Sequence, residues 1–108
     1  MEIIKISLLN TVEAEIAKIS INSYITTKIT FSNFISEVCE NTKNVDASKV
    51  LDVIGKDHRI GNSYLGVGTK YSGPCFPRDN RALAKCGEEV GIAAIISKAT
   101  DEMNKKNE

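Results

Sequence analysis

The stretch from Thr11 to Glu40 contains no glycine and no proline. Those two residues are the strongest local punctuation a chain has. The stretch therefore reads as one long helix, about 45 Å if unbroken at 1.5 Å per residue. Thr11 can cap its start, and Glu13 and Glu15 suit the positive end of the helix dipole. Its apolar residues, among them Ile16, Ile19, Tyr24, Ile25, Ile29, Phe31, Phe34 and Val38, cover more than one stripe. A surface helix needs only one. Such a helix is expected to be buried on two sides, by its own domain and by another domain or subunit. Many of these residues are β-branched and mediocre helix formers, so packing must supply the stability. The competing reading is two helices with a break near Thr26 and Thr27.

Around this helix the chain divides simply. Residues 2–9 are short, β-branched and apolar, and read as a strand or extended lead-in. With no partner strand in the chain, residues 1–10 are expected to be the end of a preceding domain, and 11–108 one helical domain. Asn41 to Val45 is a polar connection; Asp46 caps a short helix through Ile54, and Gly55 ends it. Residues 56–74 then hold Gly61, Gly66, Gly68 and Gly73, a long loop of the kind that is usually functional. Pro77 marks a helix start, and that helix runs to about Val90 with Gly91 as its stop. A last helix covers about Ala93 to Lys105, with lysines near its end matching the dipole. The fold class expected is all-α: a long central helix packed with shorter ones.

Composition removes several classes of function. Formal net charge is zero and no dense basic run occurs, which disfavours nucleic acid and anionic membrane as partners. No apolar run is long enough to span a bilayer. The three cysteines, Cys39, Cys75 and Cys86, have no C-x-x-C spacing, and His58 is the only histidine. That inventory would hardly assemble a zinc site, so no metal is expected. An odd cysteine count without a secretory signal suggests a reducing, cytoplasmic setting.

The chemistry concentrates in Gly73-Pro74-Cys75-Phe76-Pro77-Arg78-Asp79. A thiol near a helix N-terminus meets unpaired backbone N–H groups and a partial positive charge, which favour the nucleophilic thiolate. Arg78 adds a full positive charge. The bland alternative is a small buried apolar cysteine, and Cys39 and Cys86, inside helical patterns, are left there. Asp79, four residues after Cys75, can face the thiol, hold a water or cap backbone N–H groups. Lys18 and Asn22 share one face of the long helix. Together they can hold a developing oxyanion, unless Lys18 is simply solvated. Arg59 in Asp57-His58-Arg59-Ile60-Gly61 can bind a phosphate with its planar fork or be a surface charge. His58 is expected to be exposed.

Taken together, these blocks resemble the central domain of the UDP-glucose/GDP-mannose dehydrogenase family. The matching residues are Ala14-Glu15-Ile16-Ala17-Lys18 with Asn22, Phe31-Ser32-Asn33, Cys39-Glu40, Asp57 to Gly61, Gly73 to Asp79, and Ala82-Leu83. The resemblance covers about residues 11–105. It implies a helical domain like the C-terminal one of 6-phosphogluconate dehydrogenase. It implies oxidation of a nucleotide sugar's 6-hydroxyl to a carboxylate with two NAD per turnover. In that scheme Cys75 forms a thiohemiacetal and then a thioester. Lys18 stabilises the oxyanion with Asn22 as partner, and Asp79 orients or activates water. Arg59, Tyr71 and Gly73 contact the substrate, Arg59 reaching that of a neighbouring subunit. Arg78, where the family often has lysine, would lie near the cofactor phosphates.

Lys70 and Ser72 stand where glycine is usual, and Pro74 where serine is frequent; Pro74 also removes an N–H donor beside Cys75. No G-x-G-x-x-G follows a strand, so NAD is expected to be bound mainly by a domain absent from this chain, which alone would be inactive. The family's use of this domain for dimerisation implies a homodimer through the long helix. The alternative function is a helical dimerisation module whose site residues no longer act.

Overall fold

The long helix forms without a break. The structure, a computed structural model, describes residues 10–67 and 75–106, and for Cys75 the backbone alone. The extended segment expected over 2–9 lies outside the described residues. Helix α1 spans Thr11–Glu40. Its cap is Asn10, one residue earlier than expected. The Asn10 side chain accepts from the Glu13 amide at 2.8 Å, and the Glu13 carboxylate accepts from the Asn10 amide at 2.9 Å. This reciprocal capping box satisfies two amides that the first turn leaves unpaired. No break occurs at Thr26 and Thr27, whose hydroxyls donate to the Ser23 carbonyl at 2.6 and 3.1 Å and so stay paired inside the helix. At the far end the Asn41 and Thr42 side chains donate to the carbonyls of Glu37 and Val38.

Three shorter helices pack on α1: α2 (Ala47–Lys56), α3 (Cys75–Glu89) and α4 (Ile95–Lys106). Among the described residues there is no strand, so the architecture is all-α with the long helix at its centre. Asp46 caps α2 as expected, accepting from the Ser48 amide at 2.9 Å. Gly55 does not end α2. The helix continues to Lys56 because Gly55 serves a different purpose: it is buried where the following loop crosses the helix. A Cβ at Gly55 would lie 2.9 Å from Asn62 Cβ and 3.0 Å from its Cα. Helix α3 begins at Cys75, two residues before Pro77. The first four amides of a helix have no intrahelical acceptor, so proline is accommodated in this turn. Gly91 does terminate α3, at φ +81°. The Ile92 amide bonds the Gly87 carbonyl at 2.8 Å and the Gly91 amide that of Glu88 at 3.1 Å, a Schellman closure that turns the chain into α4.

Of the two sides of α1 expected to be buried, one is covered within this chain, and largely by small polar residues. The buried residues of α1 are Ser23, Thr26, Ile29, Thr30, Ser32, Ser36 and Cys39. The large apolar residues Val12, Ile16, Tyr24, Phe31, Phe34 and Val38 are 41–64% exposed. Among the described residues, the three shorter helices therefore cover α1 on one face only. Small hydroxyl side chains line that face and let neighbouring helices approach closely, since interaxial distance follows the side chains at the contact. Among the described residues, the buried apolar ones are Ile29, Cys39, Leu51 and Ala84. Helices α3 and α4 are further joined by the Arg81–Asp101 pair at 3.0 Å and by Lys98 with Glu88. Burial works to raise the Asp101 pKa, but hydrogen bonds and charge from Arg81 and Lys105 outweigh it and hold the carboxyl below its ordinary value.

Replacing Gly55 by Ala forces a methyl group against the backbone at Asn62. Urea unfolding should show a loss of about 1–3 kcal/mol, as for other overpacked sites. An unchanged midpoint would contradict the close approach.

Candidate active site

Two residues 57 positions apart meet between α1 and α3: Asn22 Nδ2 donates to Asp79 Oδ2 at 2.7 Å. A carboxylate only accepts, so the amide must present its nitrogen here. Asp79 is 6% exposed. A carboxylate so placed needs donors, and a hydrogen bond to a charged group contributes about 1.5–3 kcal/mol. Its other oxygen faces Arg78 Nε at 3.4 Å, an ion pair at the edge of hydrogen-bond range. Asp79 thus has one oxygen held by an amide and the other beside a cation. Such a carboxylate can orient a water and accept its proton.

The next residue on each helix repeats the arrangement. Ser23 Oγ donates to Asn80 Oδ1 at 2.8 Å, and Asn80 Nδ2 donates to the Ser97 carbonyl of α4 at 2.9 Å. Thr27 and Thr100 hydroxyls lie 3.2 Å apart across α1 and α4. The sequence reading missed Ser23 and Asn80. A signal was present: each directly follows a singled-out residue, and each is a small polar side chain where helix packing would ordinarily place an apolar one.

Cys75 is the first residue of α3, one turn ahead of Asp79. The expected helix start near Pro77 would have left Cys75 in the loop; it stands instead at the end of the helix where unpaired amides and the dipole favour anions. Lys18 lies one turn before Asn22 on α1, is exposed, and has no hydrogen bond or ion pair among the described residues. Arg78 is exposed on the first turns of α3. Tyr71 and Gly73 lie outside the described residues, as do Lys70, Ser72 and Pro74.

The loop after α2 is stitched to α1 and leans toward the start of α3. Lys28 Nζ donates to the carbonyls of Ile60 and Gly61 at 2.8 and 3.1 Å, and Ser32 Oγ to that of Gly66 at 3.2 Å. Gly61 takes φ +78°, a conformation suited to glycine. The Tyr64 ring meets the Phe76 ring edge-on, centroids 6.4 Å apart. Arg59 projects from this loop. Its Nε and Nη2 donate to the Asp57 carboxylate at 2.9 and 2.6 Å, and its amide donates to Asp57 Oδ1 at 3.0 Å. The Arg59 side chain, then its amide, holds the Asp57 carboxyl below its ordinary pKa; the same pairing raises that of Arg59. No hydrogen bond or ion pair joins Arg59 to the Asn22–Asp79 cluster. His58 is exposed. Among the described residues no group of three or more His, Cys, Asp or Glu is placed to hold a metal, and no helix is long and apolar enough to cross a membrane.

Comparison with known proteins places these features. A profile described as the UDP-glucose/GDP-mannose dehydrogenase family, central domain, matches residues 12–106. The chain is 38% identical over 97 residues to UDP-glucose 6-dehydrogenase TuaD of Bacillus subtilis, covering 90% of this chain and 21% of that protein. It is 36% identical over 100 residues to the UDP-glucose 6-dehydrogenase of Pseudomonas aeruginosa, covering 93% and 22%. Among solved structures it is similar to a UDP-glucose dehydrogenase from Pyrobaculum islandicum. That match has a TM-score of 0.79 and 36% identity, covering 87% of this chain and 22% of the other. The chain spans about a fifth of the length of the relatives it matches.

Replacing Lys28 by Met removes the tie between α1 and the Arg59 loop. Amide hydrogen exchange at residues 60–62 should speed up about tenfold, a local loss of about 1.4 kcal/mol, while global unfolding moves little. Unchanged exchange there would show that the lysine does not hold the loop.

Proposed function

The chain belongs to the UDP-glucose/GDP-mannose dehydrogenase family, and on that premise we propose that residues 11–108 are the catalytic central domain of a nucleotide-sugar 6-dehydrogenase. The observation that carries this reading is the 2.7 Å bond between Asn22 and Asp79. Two residues to which the family resemblance assigns separate roles meet across 57 positions, on the helix that Cys75 opens.

In the proposed mechanism NAD supplies the hydride acceptor at each of two oxidations. The described residues do not themselves form a dinucleotide site: they are helices, with no strand leading into a glycine-rich turn. They fit only an edge of the cofactor, at Arg78, whose exposed guanidinium suits a phosphate oxygen. The cofactor is held mainly by another domain, and this chain alone is inactive.

The chain's own residues act on the sugar. The first oxidation converts the 6-hydroxyl to an aldehyde. The Cys75 thiolate, favoured at the helix N-terminus, attacks that carbonyl carbon, and Lys18 stabilises the resulting oxyanion with Asn22. Loss of a second hydride leaves the sugar acyl group on Cys75 sulfur as a thioester. Asp79, fixed by Asn22, orients water for attack on the thioester and takes its proton. The C–S bond breaks, releasing the carboxylate and the Cys75 thiol. Arg59, Tyr71 and Gly73 bind the nucleotide sugar, Arg59 that of the adjacent subunit. Such a role suits an arginine that projects outward and makes no bond to its own chain's Asn22–Asp79 pair.

The exposed stripe on α1 supports a homodimer through this helix. Val12, Ile16, Tyr24, Phe31, Phe34 and Val38 recur on one side over most of its length. An uncovered apolar surface of that extent marks an association site.

The protein expressed from its whole gene should reduce two NAD for each UDP-glucose consumed, and Cys75→Ser should lower kcat by at least about a hundredfold. Oxidation continuing at the parent rate in that variant would remove the thioester mechanism. For the dimer, Phe34→Asp should convert a dimer to a monomer in sedimentation velocity. A parent protein that is already monomeric would contradict the interface.

A further inference from the structure

Asn80 has no exposed surface. Its side chain joins three helices: it belongs to α3, accepts from Ser23 on α1 and donates to the Ser97 carbonyl on α4. A carbonyl only accepts, so the amide orientation is fixed by chemistry. Burying a primary amide is unfavourable unless its groups are paired. An aliphatic side chain would fill the same space with nothing to satisfy. What the amide adds is direction.

That direction matters for the neighbouring bond. Consecutive residues on a helix are separated by about 100°. Asn22 and Ser23 on one helix bond Asp79 and Asn80 on the other, so the two contacts hold α3 at two different angles about its axis. A single bond between helices is a pivot; two adjacent ones fix the roll of each. For a side-chain tip about 5 Å from the axis, a roll of about 20° displaces it by about 2 Å. That is enough to break the Asn22–Asp79 bond. The tie from Asn80 to α4 adds a third point of attachment that opposes the same rotation.

We propose that Asn80 is a positioning residue for the reaction: by bridging Ser23 and the Ser97 carbonyl it sets the roll of α3, so that Asp79 stays bonded to Asn22. The proposal rests on the functional reading above, in which Asp79 directs water onto the thioester. Asn80 touches no reacting atom and acts only through Asp79.

The test uses the protein expressed from its whole gene, assayed with UDP-glucose and NAD. Asn80→Ala should lower kcat about tenfold or more while KM for UDP-glucose stays within about twofold, since substrate contacts are left in place. Ser23→Ala removes one hydroxyl with little threat to folding and should lower kcat in the same direction. The decisive arm is the Asp79→Asn background. There Asn80→Ala should have no further effect on kcat, because the group it positions is already gone. Unchanged kcat in both Asn80→Ala and Ser23→Ala overturns the proposal. An equal fall in kcat with and without Asp79 also overturns it, as that is what a merely structural residue would give. If instead the parent protein fails to oxidise the sugar nucleotide, or Asp79→Asn is as active as the parent, the functional reading itself fails and takes the positioning role with it.

Discussion

The contact between α1 and α3 is a polar seam, and the remaining structure is arranged around it. Asn22 bonds Asp79 and Ser23 bonds Asn80, with the carboxylate and the second amide both buried. Neither group would be stable there without its partner, because a buried unpaired carboxylate or amide forfeits its hydration for nothing. The partners can reach only if the helices approach closely. The row of serines and threonines on the buried side of α1 makes that approach possible, and the backbone-directed hydroxyls of Thr26 and Thr27 keep their own polarity satisfied while they do so. Close packing here costs apolar burial: few apolar residues are buried among the described ones, and much of the hydrophobic surface of α1 faces outward.

The outward surface and the seam are two sides of one compromise. In this helix of thirty residues the described short helices cover the face of hydroxyls and leave Tyr24, Phe31, Phe34 and Val38 exposed on another. Shape-setting polar contacts occupy the inner face. The apolar face stays exposed, and the proposed dimer would bury it. The loop that follows α2 is held by the same helix through Lys28 and Ser32, so α1 organises the carboxylate, the loop carrying Arg59 and the exposed stripe at once.

Much of the helical layout was legible in the sequence, for simple reasons. Absence of glycine and proline marked α1, Asp46 marked the start of α2, and Gly91 marked the end of α3. Failures came where a residue had a role other than the commonest one. Gly55 looked like a stop but answers to the close passage of Asn62. Asn10 rather than Thr11 caps α1, because Glu13 three residues on completes a reciprocal pair. The inner face of α1 is lined mainly by hydroxyls, which hydrophobic patterning does not mark. Hydrophobic patterning measures what benefits from burial, not which neighbour is present to bury it. Within the site, Asn22 and Asp79 were both singled out, but their bond was not foreseen: nothing local in a sequence pairs residues 57 apart. Ser23 and Asn80 were passed over although each directly follows a residue that was singled out, because their burial comes from packing between α1, α3 and α4.

A double-mutant cycle on Asn22 and Asp79 tests the seam most directly. Asn22→Ala, Asp79→Ala and the double variant would be unfolded in urea beside the parent. A buried, charge-assisted bond should give a coupling energy of about 1–3 kcal/mol. Losses that simply add, with no coupling, would contradict the claim that this bond joins α1 to α3 and sets the site between them.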